Sequence, residues 1–200
     1  MKASRSTNLR KGLIVPNWCH TRLEVEGPTS EVFSFVQGLG IEMPPFYAGG
    51  CSSILDTYFP APAEFDNSGE WVHDNWGSKW SDCHTQYEAY EGNDTVAVAV
   101  FSFDSAWSPL SEGLRNVSER FPLLRFEMSH DEEAGFFCGV EVLRAGEVCF
   151  SEFFVPEESY KEQYGTAPDF DTEEGSEKYD AIKWDTFYQL EQAAQKVGRL

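Results

Sequence analysis

Four tryptophans lie at the boundaries of predicted strands and helices, and cationic side chains are close to them in the sequence. The set consists of Trp18, His20, Arg22, Trp76, Lys79, Trp80 and Trp107. Aromatic planes stack on nucleobases, and cations donate charge-assisted hydrogen bonds to phosphate. The pattern predicts a pocket for a small nucleotide-like ligand. The alternative is structural: the tryptophans can be core residues, with Asn17 and Asn75 binding loop backbone.

Two adjacent Cys-His pairs, Cys19-His20 and Cys83-His84, are the residues best suited to a metal ion or a nucleophile. Zinc needs four ligands in tetrahedral geometry, and no spacing typical of a zinc motif occurs. Neighbours on a strand point to opposite faces, which separates Cys19 from His20. We therefore expect no metal, no cofactor and no catalytic residue. The five cysteines are odd in number and lack a CxxC, which favours ordinary thiols in a reducing cytoplasm.

An acidic segment, residues 152–180, holds ten Asp or Glu against two lysines. Calcium loops need ligands at defined offsets and a glycine at the sharp turn, and this segment does not match. Its acids interleave with aromatic side chains, a pattern that offers a basic partner both charge and anchors. The residues predicted to bind such a partner are Glu157, Glu158, Asp169, Asp171, Glu173 and Glu174.

The hydrophobic pattern predicts the elements that would position these residues. Residues 18–26 alternate as a half-buried strand, and apolar residues at helical spacing follow within residues 30–39. After the irregular residues 41–82, the pattern gives two strands, a helix that starts at Ser108-Pro109, and three more strands that end near residue 154. The predicted fold class is α+β: a ferredoxin-like split β-α-β antiparallel sheet with extra C-terminal strand(s) and a C-terminal helix.

The predicted domain organisation has three parts. Residues 1–14 form a flexible N-terminal extension, residues 15–154 form the ferredoxin-like domain, and residues 155–200 hold the acidic segment, expected as a solvated loop, and the last helix. That helix, predicted over residues 177–197, has an apolar face wide enough to require docking. It packs on its own sheet, or it joins a second copy in a homo-oligomer.

The formal net charge of −19 narrows the range of partners. Duplex nucleic acid and anionic membranes are disfavoured, because affinity for both comes largely from Lys and Arg. The charge either steers the protein to a basic protein surface or only keeps it soluble. No apolar stretch approaches the roughly 20 residues of a membrane span, and residues 1–14 lack the apolar core of a secretory signal.

Three tryptophan motifs give the chain a family resemblance. They are Pro16-Asn17-Trp18-Cys19, Asn75-Trp76-Gly77-Ser78-Lys79-Trp80 and Phe103-Asp104-Ser105-Ala106-Trp107-Ser108-Pro109, and Gly135-Phe136 with Gly139 also fits. Over about residues 15–150 the order and spacing of these motifs resemble the YubB ferredoxin-like family of phage and plasmid accessory proteins. The resemblance implies a ferredoxin-like fold without an iron–sulfur cluster, a mobile-element origin and no established activity. Members tend to start with Met at the position of Val15, which favours reading residues 1–14 as an extension.

Together these features predict a non-catalytic accessory protein of a phage or plasmid, acting in the bacterial cytoplasm. Its expected role is anti-defence, by sequestering a small nucleotide-like ligand in the tryptophan-rich pocket. One alternative is an acidic inhibitor that blocks a basic surface of a host defence protein. Another is a structural accessory protein that has no ligand.

Overall fold

The computed structural model describes residues 16–42, 48–65 and 69–198, so the extension predicted for residues 1–14 lies outside the described residues. Along the chain the elements are β1 Trp18–Pro28, α1 Thr29–Gly38, β2 Gly49–Gly50, α2 Ile54–Tyr58, α3 Glu70–Trp76, β3 Cys83–Gly92, β4 Val96–Ala106, α4 Ser111–Arg120, β5 Arg125–Glu132, β6 Cys138–Arg144, β7 Glu147–Phe154, α5 Pro156–Tyr164 and α6 Glu173–Ala194.

One antiparallel sheet contains all seven strands, in the order β2-β3-β4-β1-β5-β6-β7. Strand β1 lies between β4 and β5 and pairs with both along most of its length, with Leu23 opposite Phe101 on one side and Met128 on the other. The four strands β3, β4, β1 and β5, with α1 and α4 between them in the chain, form the split β-α-β core. The predicted α+β ferredoxin-like fold is confirmed.

The main core fills the sheet face covered by α1 and α4. Alternation along β1 places Leu23 and Val25 on this face, where they join Phe35 of α1 and Leu114 of α4. Phe35 is the centre of an aromatic group, with four other rings at centroid distances between 4.9 and 5.9 Å. Side chains on the opposite face of β1, such as His20 and Arg22, do not take part in this core.

Helix α6 covers only one half of that opposite face. Its Phe187 and Ala194 pack on Cys138, Val140 and Val142 of β6. Polar contacts extend this docking onto β5, because Lys183 binds Asp131 at 2.5 Å and Glu191 accepts a hydrogen bond from Ser129 at 2.9 Å. The helix therefore lies over β5 and β6.

Arg125 ties the end of α6 to the sheet. Its buried guanidinium donates to the carbonyl oxygens of Ala194 and Val197, both at 2.8 Å, and to Glu127 at 2.5 Å. Carbonyls in the last turn of a helix have no partner within the helix, and a cation there is favourable. Arg125 thus supplies both hydrogen bonds and charge to the C-terminal end of α6.

The long irregular loop expected over residues 41–82 contains β2 and two short helices. Helix α2 forms because Asp82 caps it from far along the chain: its carboxylate accepts from the backbone N–H of Ile54 at 2.7 Å and of Leu55 at 2.9 Å. Helix α3 buries Val72 and Trp76 and ends at Gly77, whose φ is 82°. The sequence pattern missed both helices because they are short and their stabilising contacts are not local.

The acidic segment is also more ordered than the predicted solvated loop. Pro156 stands in the first turn of α5, and Gly165 ends the helix with φ 74°. Thr172 caps α6 by accepting a hydrogen bond from the backbone N–H of Gly175, so this helix begins at Glu173 and not at residue 177. No helix in the described ranges has both the length and the apolar character needed to cross a membrane.

Candidate functional site

A groove runs between α6 and the half of the sheet that α6 leaves uncovered. Its volume is about 870 Å³. The floor belongs to β1, β3, β4 and β5, and the wall belongs to α6. The groove is lined by His20, Thr21, Arg22, His84, Gln86, Ser102, Phe103, Asp104, Ser129, His130, Asp131, Trp184, Phe187, Tyr188 and Glu191. This volume is within the range of small-molecule sites in proteins.

The wall of the groove presents aromatic rings. Trp184 and Tyr188 are four residues apart on α6, so they lie on one side of the helix. They are 57% and 60% exposed, whereas their neighbour Phe187 is buried against the sheet. Large aromatic side chains at this exposure are available to stack on a ligand.

The floor of the groove holds two histidines that share one carboxylate. The Nδ1 atom of His20 is 2.5 Å from Oδ1 of Asp104, and the Nδ1 atom of His84 is 2.8 Å from Oδ2. The side chain of Asp104 is 24% exposed, while those of His20 and His84 are 56% and 69% exposed. The carboxylate is therefore recessed, and the imidazoles stand nearer to solvent.

The local backbone explains how residues from three strands meet. His20 and Asp104 are direct partners in the β1–β4 register. Opposite them, β3 contains an irregularity between Cys83 and Gln86, and His84 within it has φ 56°. A bulge of this kind redirects a side chain, and a positive φ is costly for a residue other than glycine. The bulge turns His84 toward Asp104.

The shared carboxylate fixes the hydrogen-bonding state of both rings. A carboxylate only accepts hydrogen bonds, so each Nδ1 carries its proton toward Asp104. Among the described residues, neither Nε2 atom has a hydrogen-bond partner. Each Nε2 is therefore an acceptor when its ring is neutral and a donor when its ring is protonated.

Arg22 is the groove's other predicted ligand-binding cation. Its guanidinium binds Glu24 of the same strand at 2.5 Å. Beyond it the open sheet face continues into a second depression of about 600 Å³, where Glu88 and Glu91 add negative charge. The floor thus becomes more acidic away from the histidines.

Three of the four tryptophans predicted to bind a ligand meet beside the groove, together with Lys79. We call this cluster of Trp18, Lys79, Trp80 and Trp107 the tryptophan corner. Ring centroids are 5.9 Å apart for Trp18–Trp80 and 6.2 Å apart for Trp80–Trp107. The Lys79 ammonium lies 5.3 and 5.1 Å from the centroids of Trp80 and Trp107, a cation–π arrangement. Trp18 also packs on His84 at 5.7 Å, so the corner supports one of the two imidazoles.

Trp76 does not belong to this group. Its side chain is 1% exposed in the main core, and its indole N–H donates to the carbonyl oxygen of Phe59 at 3.0 Å. Its place at the end of a predicted loop suggested a surface position, but the residue is inside α3 and packs against Trp71. Trp76 is a structural residue, and its inclusion in a ligand pocket was wrong.

Burial controls the chemistry of two of the five cysteines. Cys19 and Cys138 are buried, and burial raises the pKa of Cys19 to about 12 and that of Cys138 further. Both thiols therefore stay protonated, and a protonated thiol is a poor nucleophile and metal ligand. Within residues 16–42, 48–65 and 69–198, no three His, Cys, Asp or Glu converge on a metal position.

Sequence reasoning missed three residues of the groove. Asp104 was seen only as part of a motif, although it orients both histidines. Trp184 and Tyr188 lie on the wide apolar face of the last helix, which was expected to dock as a whole. Their spacing of four residues was a usable signal, but helical periodicity cannot separate the half of a wide apolar face that docks from the half that remains exposed.

About half of the chain matches the model of a known family. Residues 76–177 match the model of the ferredoxin-like domain in Api92-like proteins. No curated protein matches the chain. The crystal structure of protein api92 from Yersinia pseudotuberculosis is similar at 14% sequence identity and a TM-score of 0.36, over 56% of this chain and 37% of that one. The match therefore spans little more than a third of that protein's length.

The family match agrees with the ferredoxin-like sheet, and its description names a fold and no reaction. It supplies no catalytic residue, and neither the YubB name nor a phage or plasmid origin is part of it. The matched residues run from the end of α3 into the first turns of α6, so they include His84, Asp104 and the whole of β3 to β7. The match covers about half of the 200 residues, and the chain belongs to the family of Api92-like proteins with a ferredoxin-like domain.

Proposed function

We propose that this protein is a non-catalytic accessory protein of a phage or plasmid that captures a small nucleotide-like ligand in the groove. The mobile-element origin and a site of action in the bacterial cytoplasm come from the YubB resemblance of the tryptophan motifs. Capture of a nucleotide signal would serve an anti-defence role. The groove replaces the tryptophan corner as the proposed binding place.

One observation carries this proposal: exposed aromatic rings on α6 lie across one groove from a polar floor. Trp184 and Tyr188 offer planes on which a nucleobase stacks, at about 1–3 kcal/mol per stacked base. The floor offers His20, Gln86 and Ser102 for hydrogen bonds to base edges and sugar hydroxyls. The depression beside the tryptophan corner, lined by Lys79 and Trp107, is smaller, at about 430 Å³.

Isothermal titration calorimetry with a panel of mononucleotides and cyclic dinucleotides tests the proposal. We expect one or more members to bind, and Trp184→Ala to weaken binding by about fivefold or more, since one stacking contact is lost. Trp107→Ala is the matched control, because it removes an exposed tryptophan from the corner and leaves the groove intact. Circular dichroism melts verify that both variants fold.

The outcomes separate the two locations. A loss of binding in Trp107→Ala with full binding in Trp184→Ala would return the ligand to the tryptophan corner. An absence of heat with the whole panel would refute nucleotide capture, and it would leave a ligand-free structural role or the second function below.

A second function, inhibition of a basic host protein, is supported by the exposure of the predicted acidic residues. Glu157, Glu158, Asp169, Asp171, Glu173 and Glu174 are all exposed. Glu157 and Glu158 lie in the first turn of α5, Glu173 and Glu174 lie in the first turn of α6, and the two aspartates lie in the loop between these helices. Such a surface would steer the protein to a basic defence protein and block it.

Pull-down from a bacterial lysate tests this second function. Reversal of Glu157, Glu158, Asp171 and Glu173 to lysine is expected to abolish capture, and 300 mM salt is expected to weaken it. The control reverses four exposed acids on other elements, Glu91, Glu112, Glu119 and Glu147. Equal capture by both variants would remove the inhibitor function.

A further inference from the structure

The two histidines on Asp104 have the features of a subsite for a phosphate group. Building on the proposed nucleotide capture, we propose that the Nε2–H groups of protonated His20 and His84 bind the phosphate of the ligand, and that binding therefore takes up protons. The ligand class is a phosphate monoester or diester attached to a planar base. Phosphate alone is expected to bind at the same place, more weakly.

The hydrogen bonds to Asp104 prepare both rings for this role. Each Nδ1 donates to a different oxygen of the carboxylate, at 2.5 and 2.8 Å, which fixes the orientation of the two imidazoles. The Nε2 atoms have no partner in the described part of the chain, and both residues line the groove. A carboxylate on one ring nitrogen stabilises the imidazolium while the other nitrogen binds a substrate group.

The arrangement of His84 strengthens the assignment. Its φ of 56° is a conformation that side chains other than glycine rarely adopt. The β3 irregularity and the packing of Trp18 on its ring hold it there. Strained residues of this kind concentrate at ligand sites, and here the strain places the second imidazole beside the first.

The surrounding charges decide when an anion can bind. The charged groups that line the groove or bind a lining residue are Arg22, Glu24, Glu88, Asp104, Asp131, Lys183 and Glu191. With neutral imidazoles, two cations face five carboxylates, and phosphate is repelled. When both rings are protonated, four cations face the same five carboxylates. Histidine changes charge between pH 5 and 8, so phosphate binding should require that change.

Two-dimensional NMR of the histidine ring nitrogens, with inorganic phosphate as the probe, tests this subsite. At pH 6 we expect phosphate to shift the Nε2 signals of His20 and His84 with saturation. At pH 8 the affinity should be lower by about tenfold per pH unit for each ring that must take up a proton. Sulfate, which does not titrate in this range, should show the same dependence.

The protein contains its own control. His73 on α3 is 79% exposed and lies 3.4 Å from Asp74, so it is a histidine–aspartate pair outside the groove. Its signals should not respond to phosphate. His20→Gln and His84→Gln should each remove one proton from the uptake measured by calorimetry in buffers of different ionisation enthalpy.

Several results would overturn the subsite. Absence of a phosphate-induced shift at pH 6, or equal shifts of His73, His20 and His84, would show that no built phosphate site exists. If nucleotides bind in the groove without proton uptake, the proposed capture stands and the phosphate subsite falls. If phosphate shifts both rings while no nucleotide binds, the subsite stands and nucleotide capture falls.

Discussion

At the scale of single residues, His130 shows how burial changes a titratable group. It is 1% exposed, its ring contacts Phe137 and Phe153, and neither ring nitrogen has a partner in the described residues. Burial lowers the pKa of His130 to about 4. The ring therefore stays neutral until the pH approaches 4.

This burial predicts an acid-sensitive stability. Between about pH 6.5 and pH 4, the unfolded chain binds a proton at residue 130 that the folded protein excludes, so the free energy of unfolding falls as pH falls. The loss from this residue approaches about 3 kcal/mol. His130→Phe should remove this part of the dependence, and urea denaturation of both proteins at pH 7 and pH 4.5 measures it.

Other buried acids, including Glu127 and Glu141, also have pKa values raised by burial, and they titrate in both proteins. The comparison between wild type and His130→Phe cancels their contribution. If both proteins lose the same stability between pH 7 and pH 4.5, the assignment of acid sensitivity to His130 is wrong.

Residue types alone singled out several side chains that the fold brings near one another. The sequence singled out His20, Arg22, Trp18, Lys79, Trp80 and Trp107, and the structure brings them to the groove or the adjoining corner. The meeting of His20 with His84 could not be predicted, because it depends on the β3 irregularity and on Asp104 lying between two strands far apart in sequence. Trp76 was misplaced because a core position and a loop boundary look alike in one sequence.

At the scale of elements, the docking of α6 creates the groove. Arg125 is 3% exposed and pairs with Glu127, which is 5% exposed, while it binds the last carbonyls of the helix. Removal of one partner from a buried ion pair leaves an uncompensated charge, which costs about 3–5 kcal/mol.

Arg125→Ala should therefore destabilise the protein by about 3 kcal/mol and loosen the C-terminal half of α6. Hydrogen exchange followed by mass spectrometry should show faster exchange there than in α1. Arg125→Met with Glu127→Gln should recover much of the stability, because the double variant removes both charges of the buried pair, and Glu26, the other carboxylate near Arg125 at 3.7 Å, is 17% exposed. Unchanged exchange in α6 of Arg125→Ala would contradict a clamping role for Arg125.

Elements with a clear hydrophobic periodicity were predicted well. Elements that depend on contacts with residues far along the chain were not. The strand β1 alternates plainly, and α4 has a stripe at helical spacing, although it starts at Ser111 and not at Pro109. Helix α2 depends on Asp82, 28 residues after Ile54, and no local window contains both. Thr29, the first residue of α1, donates its hydroxyl hydrogen to the carbonyl oxygen of Asn93 at 2.7 Å, and no side chain caps the start of this helix.

At the scale of the whole molecule, a formal net charge of −19 acts against compactness. Like charges repel one another more in the folded state, and salt screens this repulsion over about 10 Å at 0.1 M. The free energy of unfolding should therefore rise with salt, although salt weakens the exposed ion pairs.

We expect the thermal midpoint to rise by about 3 °C between 20 and 500 mM NaCl. This shift corresponds to an increase of about 1 kcal/mol in the free energy of unfolding for a chain of this length. Differential scanning calorimetry measures the change. A variant with Glu157, Glu158, Glu173 and Glu174 replaced by glutamine should show a smaller rise. A midpoint that falls with salt would mean that ion pairs outweigh the repulsion.

The fold class followed from the sequence, because the order of periodic segments permits few topologies. The side of the sheet that α6 covers, and how much of it, did not follow. That choice depends on Phe187 fitting the small apolar patch of β6, on Lys183 reaching Asp131 and on Arg125 reaching Ala194. These contacts join the last element to strands more than 40 residues earlier, where periodicity carries no information.

The tryptophan corner also gives the protein an intrinsic spectroscopic signal for the state of the groove. Trp18, Trp80 and Trp107 lie within 5.9 and 6.2 Å of their neighbours in a fixed, chiral arrangement, so their electronic transitions couple and give a near-ultraviolet circular dichroism signal. Trp18 touches the imidazole of His84, whose other side meets Asp104. Light absorbed at the corner thus carries information about the ionisation and occupancy of the groove, without any added label.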